Sequence, residues 1–230
     1  MSFVIGLTQW TVQRLPGRPS GKRPWLTRAG LGLGLLSLGI GAPAWAHHPL
    51  GGRLPSTFLE GFLSGLGHPV LGLDHLAFVL ALGVIAAQLQ RAIWIPVGFA
   101  IATLMGVGGH LLTLDVPGAE SIVAGTLIVL GLLFILSDRL QTPGLLAIGS
   151  LAGLFHGYAY GEAIIGSEMS PLLAYLLGLT VIQIGMALFS FGIAKVVTAY
   201  AQSHRLKLLR GAGLLVGTLG IILLRRTLMA

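Results

Sequence analysis

The sequence predicts an all-α, polytopic membrane protein, and three observations predict it. Of its 230 residues, 54% are hydrophobic and only 9% are charged, where soluble domains carry about 25% charged residues. The mean hydropathy is +0.89, so there are too few charges to cover a globular surface and lipid must solvate the chain instead. Apolar stretches of helical length also recur between short polar or Pro/Gly breaks, as successive membrane helices do.

The amino-terminal segment is of a different kind. Residues 1–46 hold Arg14, Arg18, Lys22, Arg23 and Arg28 and no acid; of the 14 basic residues, nine then remain against seven acids. The net charge of +7 and the pI near 10.6 are thus mostly properties of this segment. They are no argument for nucleic acid, and no basic stripe interleaved with aromatics occurs. In residues 22–46 a basic stretch precedes the apolar run Ala29 to Gly41 and then Ala44-Trp45-Ala46. That is the layout of a cleaved secretory signal peptide. The run is short for a hydrocarbon core of ~30 Å, and its glycines weaken it as a helix. An uncleaved signal anchor is the alternative. The expected organisation is a leader and signal peptide over 1–46 and one transmembrane domain over 47–230, with the mature chain starting at His47-His48-Pro49.

Six spans are read in the remainder, roughly at 69–89, 92–114, 118–137, 143–160, 171–197 and 208–225. Loops of a few residues make successive spans antiparallel neighbours. Residues 55–67, shorter and broken by glycine, read as an interfacial or re-entrant stretch. With the mature amino terminus outside, the inner loops hold Arg91, Arg139, Lys195, Arg205, Lys207 and Arg210, and the outer segments Arg53, Arg225 and Arg226. That bias fits the positive-inside rule, and places the chain in the inner or plasma membrane. The outer loops carry Asp115, Glu120, Glu162 and Glu168.

Ionisable groups inside a span are costly and usually line a pathway. In the first span, His68 and His75 lie seven positions apart, two helical turns, on nearly one face with a rise of about 10 Å. Pro69 suits a first helical turn, which places His68 at the helix mouth. Asp74 either completes a site or orients an imidazole. The fourth span ends in Phe155-His156-Gly157, with Glu162 just beyond, and His110 follows glycines near the end of the second. By the assigned orientation these groups all gather toward the outer side, where His47 and His48 lie as well. His204 falls in a basic inner loop. The simpler readings are helix packing for His110, an outer-loop position for Glu162, and chance proximity to a cleavage site for His47 and His48. The many glycines read as helix-packing devices.

Imidazoles with one or two carboxylates, without sulfur, suit borderline divalent ions such as Ni, Co, Zn or Cu, and suit Mg or Ca poorly. The chain has no cysteine, so neither disulfides nor thiolate ligands exist. The expected ligands are His68, Asp74, His75 and His156, with His110, His47, His48 and Glu162 as further candidates. The expected partners are a divalent metal ion, as cargo rather than catalytic cofactor, and the lipid bilayer; nucleic acid is excluded and homo-oligomerisation left open. No nucleotide-binding motif occurs. Transport is expected rather than catalysis; an intramembrane zinc hydrolase, which would use the same ligands to activate water, and a membrane metal chaperone are the alternatives.

His-x5-Asp-His at 68–75 together with Phe155-His156-Gly157 resembles the HupE/UreJ family of nickel/cobalt permeases, as do the signal-like start and His-His-Pro-Leu-Gly-Gly at 47–52. The resemblance covers about residues 47–225. It implies uptake of Ni or Co ions and, by position, functional roles for His68, Asp74, His75 and His156. The family pattern Phe-His-Gly-x-Ala-His-Gly-x-Glu is incomplete here. Tyr160 stands where the second histidine would be, and Glu162 comes one residue early, a rotation of about 100° on a continuing helix. Gly125-Thr126-Leu127 and Gly217-Thr218-Leu219 hint at an inverted repeat of three spans each, an arrangement secondary transporters use.

Overall fold

The computed structural model describes residue 50, residues 53–90 and residues 92–229. The expected signal segment, His47, His48 and Arg91 lie outside the described residues. Among the described residues there are seven α-helices and no strand.

Helix α1 (Phe58–Leu71) opens on a reciprocal cap. The Thr57 hydroxyl accepts the Glu60 N–H at 3.2 Å, and the Glu60 carboxylate accepts the Ser56 N–H at 2.8 Å. These bonds satisfy donors that a helix start leaves unpaired. Arg53 clasps the same carboxylate through two nitrogens, at 2.7 and 3.2 Å.

Helix α2 (Leu73–Ala86) follows α1 after a single extended residue, Gly72, and the two are bent by 80°. This corrects the expected first span. Residues 69–89 are not one helix, and 55–67 are not a separate stretch: α1 runs through both. Pro69 lies in the last turn of α1 rather than the first turn of a span. Lacking an N–H, it weakens that turn, and Gly72 then takes the extended conformation that ends it. His68 therefore closes one helix while Asp74 and His75 open the next. They do not share a face two turns apart.

The other five helices lie near their expected positions: α3 (Trp94–Leu111), α4 (Ala119–Ile135), α5 (Thr142–Gly161), α6 (Met169–Tyr200) and α7 (Arg205–Met229). Pro143 begins α5, where a missing N–H costs nothing. Gly118, at φ 73°, lets the chain turn sharply into α4. By length and composition α3, α6 and Gln202–Met229 can each cross a membrane, and α1 with α2 passes the same test only when taken together, as a broken span or a re-entrant loop. At 17 residues α4 is a shorter apolar helix.

The helices pair as α1 and α2 on α6, α3 with α5, and α4 with α7. Each pairing depends on glycine at its closest point. A methyl group on Gly65 would strike the backbone of Tyr175, and one on Gly157 the backbone of Thr103. Gly131 and Gly213 face each other so closely that a methyl on either meets the other's carbonyl, at 2.7 and 2.6 Å. Such contacts gain dispersion energy that larger side chains would prevent. Between the pairs lies a core around Phe78, Leu82, Ile85, Phe99, Leu127 and Leu145. Large apolar residues such as Leu173, Phe189 and Leu215 stay exposed on the outside, as a lipid-facing surface requires.

Candidate metal site

The break at Gly72 builds the site. It folds the end of α1 back against the start of α2, so that the His68 and His75 rings approach to 5.9 Å between centroids. On one straight helix their side chains would be separated by a rise of about 10 Å. Both histidines are buried, at 3% and 4% exposure, and His156 of α5 is at 0%.

His75 and His156 meet directly, Nδ1 to Nδ1, at 3.0 Å. The surrounding hydrogen bonds assign the proton on His156. The Thr126 hydroxyl of α4 donates to the Val123 carbonyl at 2.6 Å, so its oxygen accepts from His156 Nε2–H at 3.0 Å. In a neutral imidazole the lone pair then lies on Nδ1, facing His75. Phe78 and Phe99 pack against the His156 ring at 4.5 and 5.6 Å between centroids and fix its plane.

The same logic assigns His68. The Tyr175 hydroxyl of α6 donates to the Tyr160 carbonyl at 2.9 Å, so it accepts from His68 Nδ1–H at 2.8 Å. The His68 lone pair is therefore on Nε2. Orienting bonds of this kind are what hold metal-binding imidazoles in position. Asp74 Oδ1 accepts the His75 backbone N–H at 2.8 Å and lies 4.0 Å from His75 Nε2. Its charge also suits the positive end of α2. The Tyr160 ring lies against both His75, at 4.2 Å, and His68, at 5.0 Å between centroids.

The remaining candidates fall elsewhere. His110, half-buried at the end of α3, donates from Nδ1 to the Tyr158 carbonyl at 2.8 Å and packs on the Tyr158 ring. These contacts tie α3 to α5. Glu162 is exposed in the turn after α5. His204 is exposed as well, before α7.

Among the described residues, no three His, Asp or Glu side chains form a ready metal-binding group. What the fold gathers is a buried histidine pair, with His68 and Asp74 beside it and hydroxyls around it. Thr126 and Tyr175 were missed by sequence reasoning. A lone hydroxyl in an apolar helix is too common a feature to single either out. Next to Thr126 lies a cavity of about 330 Å³ whose other walls are apolar, among them Phe78, Leu82 and Phe155. It is no hydrated route for an ion.

Comparison with known proteins places this arrangement in a family. The model of the HupE / UreJ protein family matches residues 35–223. Protein HupE of Rhizobium leguminosarum bv. viciae is 33% identical over 190 residues, covering 77% of this chain and 94% of that protein. No solved structure matches. The matched region contains the whole histidine cluster, and with that extent and identity the chain belongs to the HupE/UreJ family of membrane proteins, associated with nickel and cobalt uptake.

Proposed function

We propose that this protein carries Ni2+ or Co2+ inward across the membrane, passing the ion through a site formed by His75 and His156 with His68 and Asp74 beside it. The observation that carries the reading is the 3.0 Å approach of two Nδ1 atoms, with the His156 lone pair held toward His75 by Thr126. At rest the proton on His75 Nδ1 bridges them. An arriving cation replaces it: the His75 proton moves to Nε2, on the Asp74 side, and both lone pairs turn to the metal. Asp74 stabilises that tautomer and offsets one of the ion's two charges.

The spacing favours some ions over others. For metal–nitrogen bonds of about 2.1 Å, a 3.0 Å separation of the nitrogens corresponds to a ligand angle of about 90°. That is the angle between neighbouring ligands in an octahedron, which six-coordinate Ni2+ and Co2+ adopt readily. Tetrahedral Zn2+ would need the nitrogens further apart.

The broken α1–α2 segment supports transport as the outcome of binding. Discontinuous helices form the ion sites of many secondary transporters, because their interrupted ends offer unpaired backbone groups. The reading takes six spans, with α1 and α2 together as the first, and the mature amino terminus outside. It also takes an inverted repeat. Gly61, Gly65 and His68 of α1 have the spacing of Gly153, Gly157 and Tyr160 of α5. Gly61 and Gly65 abut Pro171 and Tyr175 of α6; Gly153 and Gly157 abut Phe99 and Thr103 of α3, at the same spacing. In return Gly178 meets Phe62 and Leu66, as Gly106 meets Leu154 and Tyr158. One packing unit recurs in the two places, and the six-span reading runs α1 and α5 in opposite directions, which supports the repeat.

The membrane potential drives cation influx, by ~2.3 kcal/mol per charge per 100 mV. The direct test is uptake of radioactive nickel or cobalt into liposomes containing the purified full chain under an inside-negative potential. Accumulation above protein-free liposomes is expected. Binding without accumulation would instead indicate a membrane metal chaperone.

A further inference from the structure

We propose that two more of the ion's ligands are neutral oxygens, the carboxamide of Gln183 on α6 and the phenol of Tyr160 on α5. The inference rests on the transport reading, since it concerns the same ion at the same site.

Gln183 is 2% exposed in the middle of an apolar 32-residue helix. Among the described residues, neither its carboxamide oxygen nor its nitrogen has a hydrogen-bond partner, and the Tyr160 hydroxyl has none either. Gln183 lies on α6 between Gly178, which abuts Phe62 and Leu66 of α1, and Ala187, which abuts Gly83 of α2, and its side chain comes near the Tyr160 hydroxyl without closing a hydrogen bond, so these groups share one place. That place adjoins the histidines: the Tyr160 ring lies tilted against His75, 4.2 Å between centroids, and edge-on to His68 at 5.0 Å. An unpaired buried amide or hydroxyl is destabilising, because it gives up its bonds to water without replacement. A cost borne twice at one spot beside a histidine pair is explained if the groups are paired when the ion is present.

The chemistry agrees. His75 and His156 fill two neighbouring octahedral positions, and the described residues gather no third close His, Asp or Glu. Intermediate ions such as Ni2+ and Co2+ accept mixed nitrogen and oxygen donors. Gln183 binds through its carbonyl oxygen, and Tyr160 through its oxygen while keeping its proton. Neither adds charge, so with Asp74 the site keeps one net positive charge when loaded, and the ion can leave.

The test uses the full chain in nanodiscs, with Co2+ as the probe. Equilibrium binding and the visible ligand-field spectrum are measured for the wild type, Gln183→Leu, Tyr160→Phe, Gln183→Glu and a His75→Ala control. Gln183→Leu and Tyr160→Phe should each weaken Co2+ binding at least about tenfold. They should also intensify the visible band as coordination falls below six. Gln183→Glu should tighten binding and slow release, an effect that mere packing would not produce. If both neutral variants keep the wild-type affinity and spectrum while His75→Ala loses them, the two oxygens are not ligands and the transport reading stands alone. If the wild type binds no Co2+, the reading beneath falls and this one with it. Should Gln183→Leu fail to accumulate, Gln183→Glu decides, and binding no tighter than wild type overturns the proposal.

Discussion

His75 and His156 sit 81 positions apart in the chain, on α2 and α5, yet their Nδ1 atoms are 3.0 Å apart in a buried core. Two imidazoles in direct contact compete for one proton or share one cation. Replacing either with Ala should therefore abolish metal uptake while leaving the amount of protein in the membrane near wild type. Uptake assays with quantified membrane abundance check this. Wild-type uptake in either variant would remove the pair from the pathway.

Thr126 reaches the site through His156, whose Nε2–H it accepts at 3.0 Å. Thr126→Val keeps the shape and removes that acceptor, so the His156 ring is no longer held with its lone pair toward His75. Nickel affinity should fall roughly 10–100-fold, whereas Thr126→Ser should retain it. Equal affinities for the Val and Ser variants would mean that the hydroxyl does not orient the ring.

His110 gives a contrasting case. Its hydrogen bond to the Tyr158 carbonyl ties α3 to α5, so His110→Ala should cost about 1 kcal/mol of stability and little transport per folded molecule. Thermal unfolding in detergent, followed by tryptophan fluorescence, measures the first; uptake normalised to folded protein measures the second. A loss of uptake as deep as that of His75→Ala would return His110 to the ion path.

Glycines divide sharply by what surrounds them. Gly65→Ala and Gly157→Ala each drive a methyl into a neighbouring backbone, and should destabilise by about 1–3 kcal/mol. Among the described residues, a methyl on Gly108 in α3 would meet nothing within 4 Å, so Gly108→Ala should gain roughly 0.5–1 kcal/mol from reduced chain entropy. Melting temperatures that moved in the same direction for all three would contradict the packing described for α1–α6 and α3–α5.

The later helices were legible because each is an apolar run bounded by Pro, Gly or charge; α5 at Thr142–Gly161 and α6 at Met169–Tyr200 depart by only a few residues from 143–160 and 171–197. The first span was not. Residues 69–89 are apolar almost throughout, and hydropathy averages over a window, so it cannot register a bend that one extended residue, Gly72, produces. The histidines at 68, 75 and 156 announced themselves as ionisable groups in a greasy chain. What the sequence could not convey was which ring nitrogen bears the proton, because that is decided by Thr126 and Tyr175 reaching in from other helices. Gln183 could have been found from sequence. A lone amide deep in an apolar helix is expensive in the same way as a histidine, but it carries neither the charge nor the imidazole that marks an ionisable site.

Helix α6 has 32 residues, which at 1.5 Å per residue makes it about 48 Å long, against a hydrocarbon core of ~30 Å. It must overhang the bilayer or lean within it. Because α1 and α2 both lie along α6, a change in lean would shift the elbow at Gly72 and the rings attached to either side of it. Transport should then respond to the thickness of the surrounding lipid. Liposomes made from a series of acyl-chain lengths should show an optimum, and a rate indifferent to chain length would mean that the elbow is insulated from its longest neighbour.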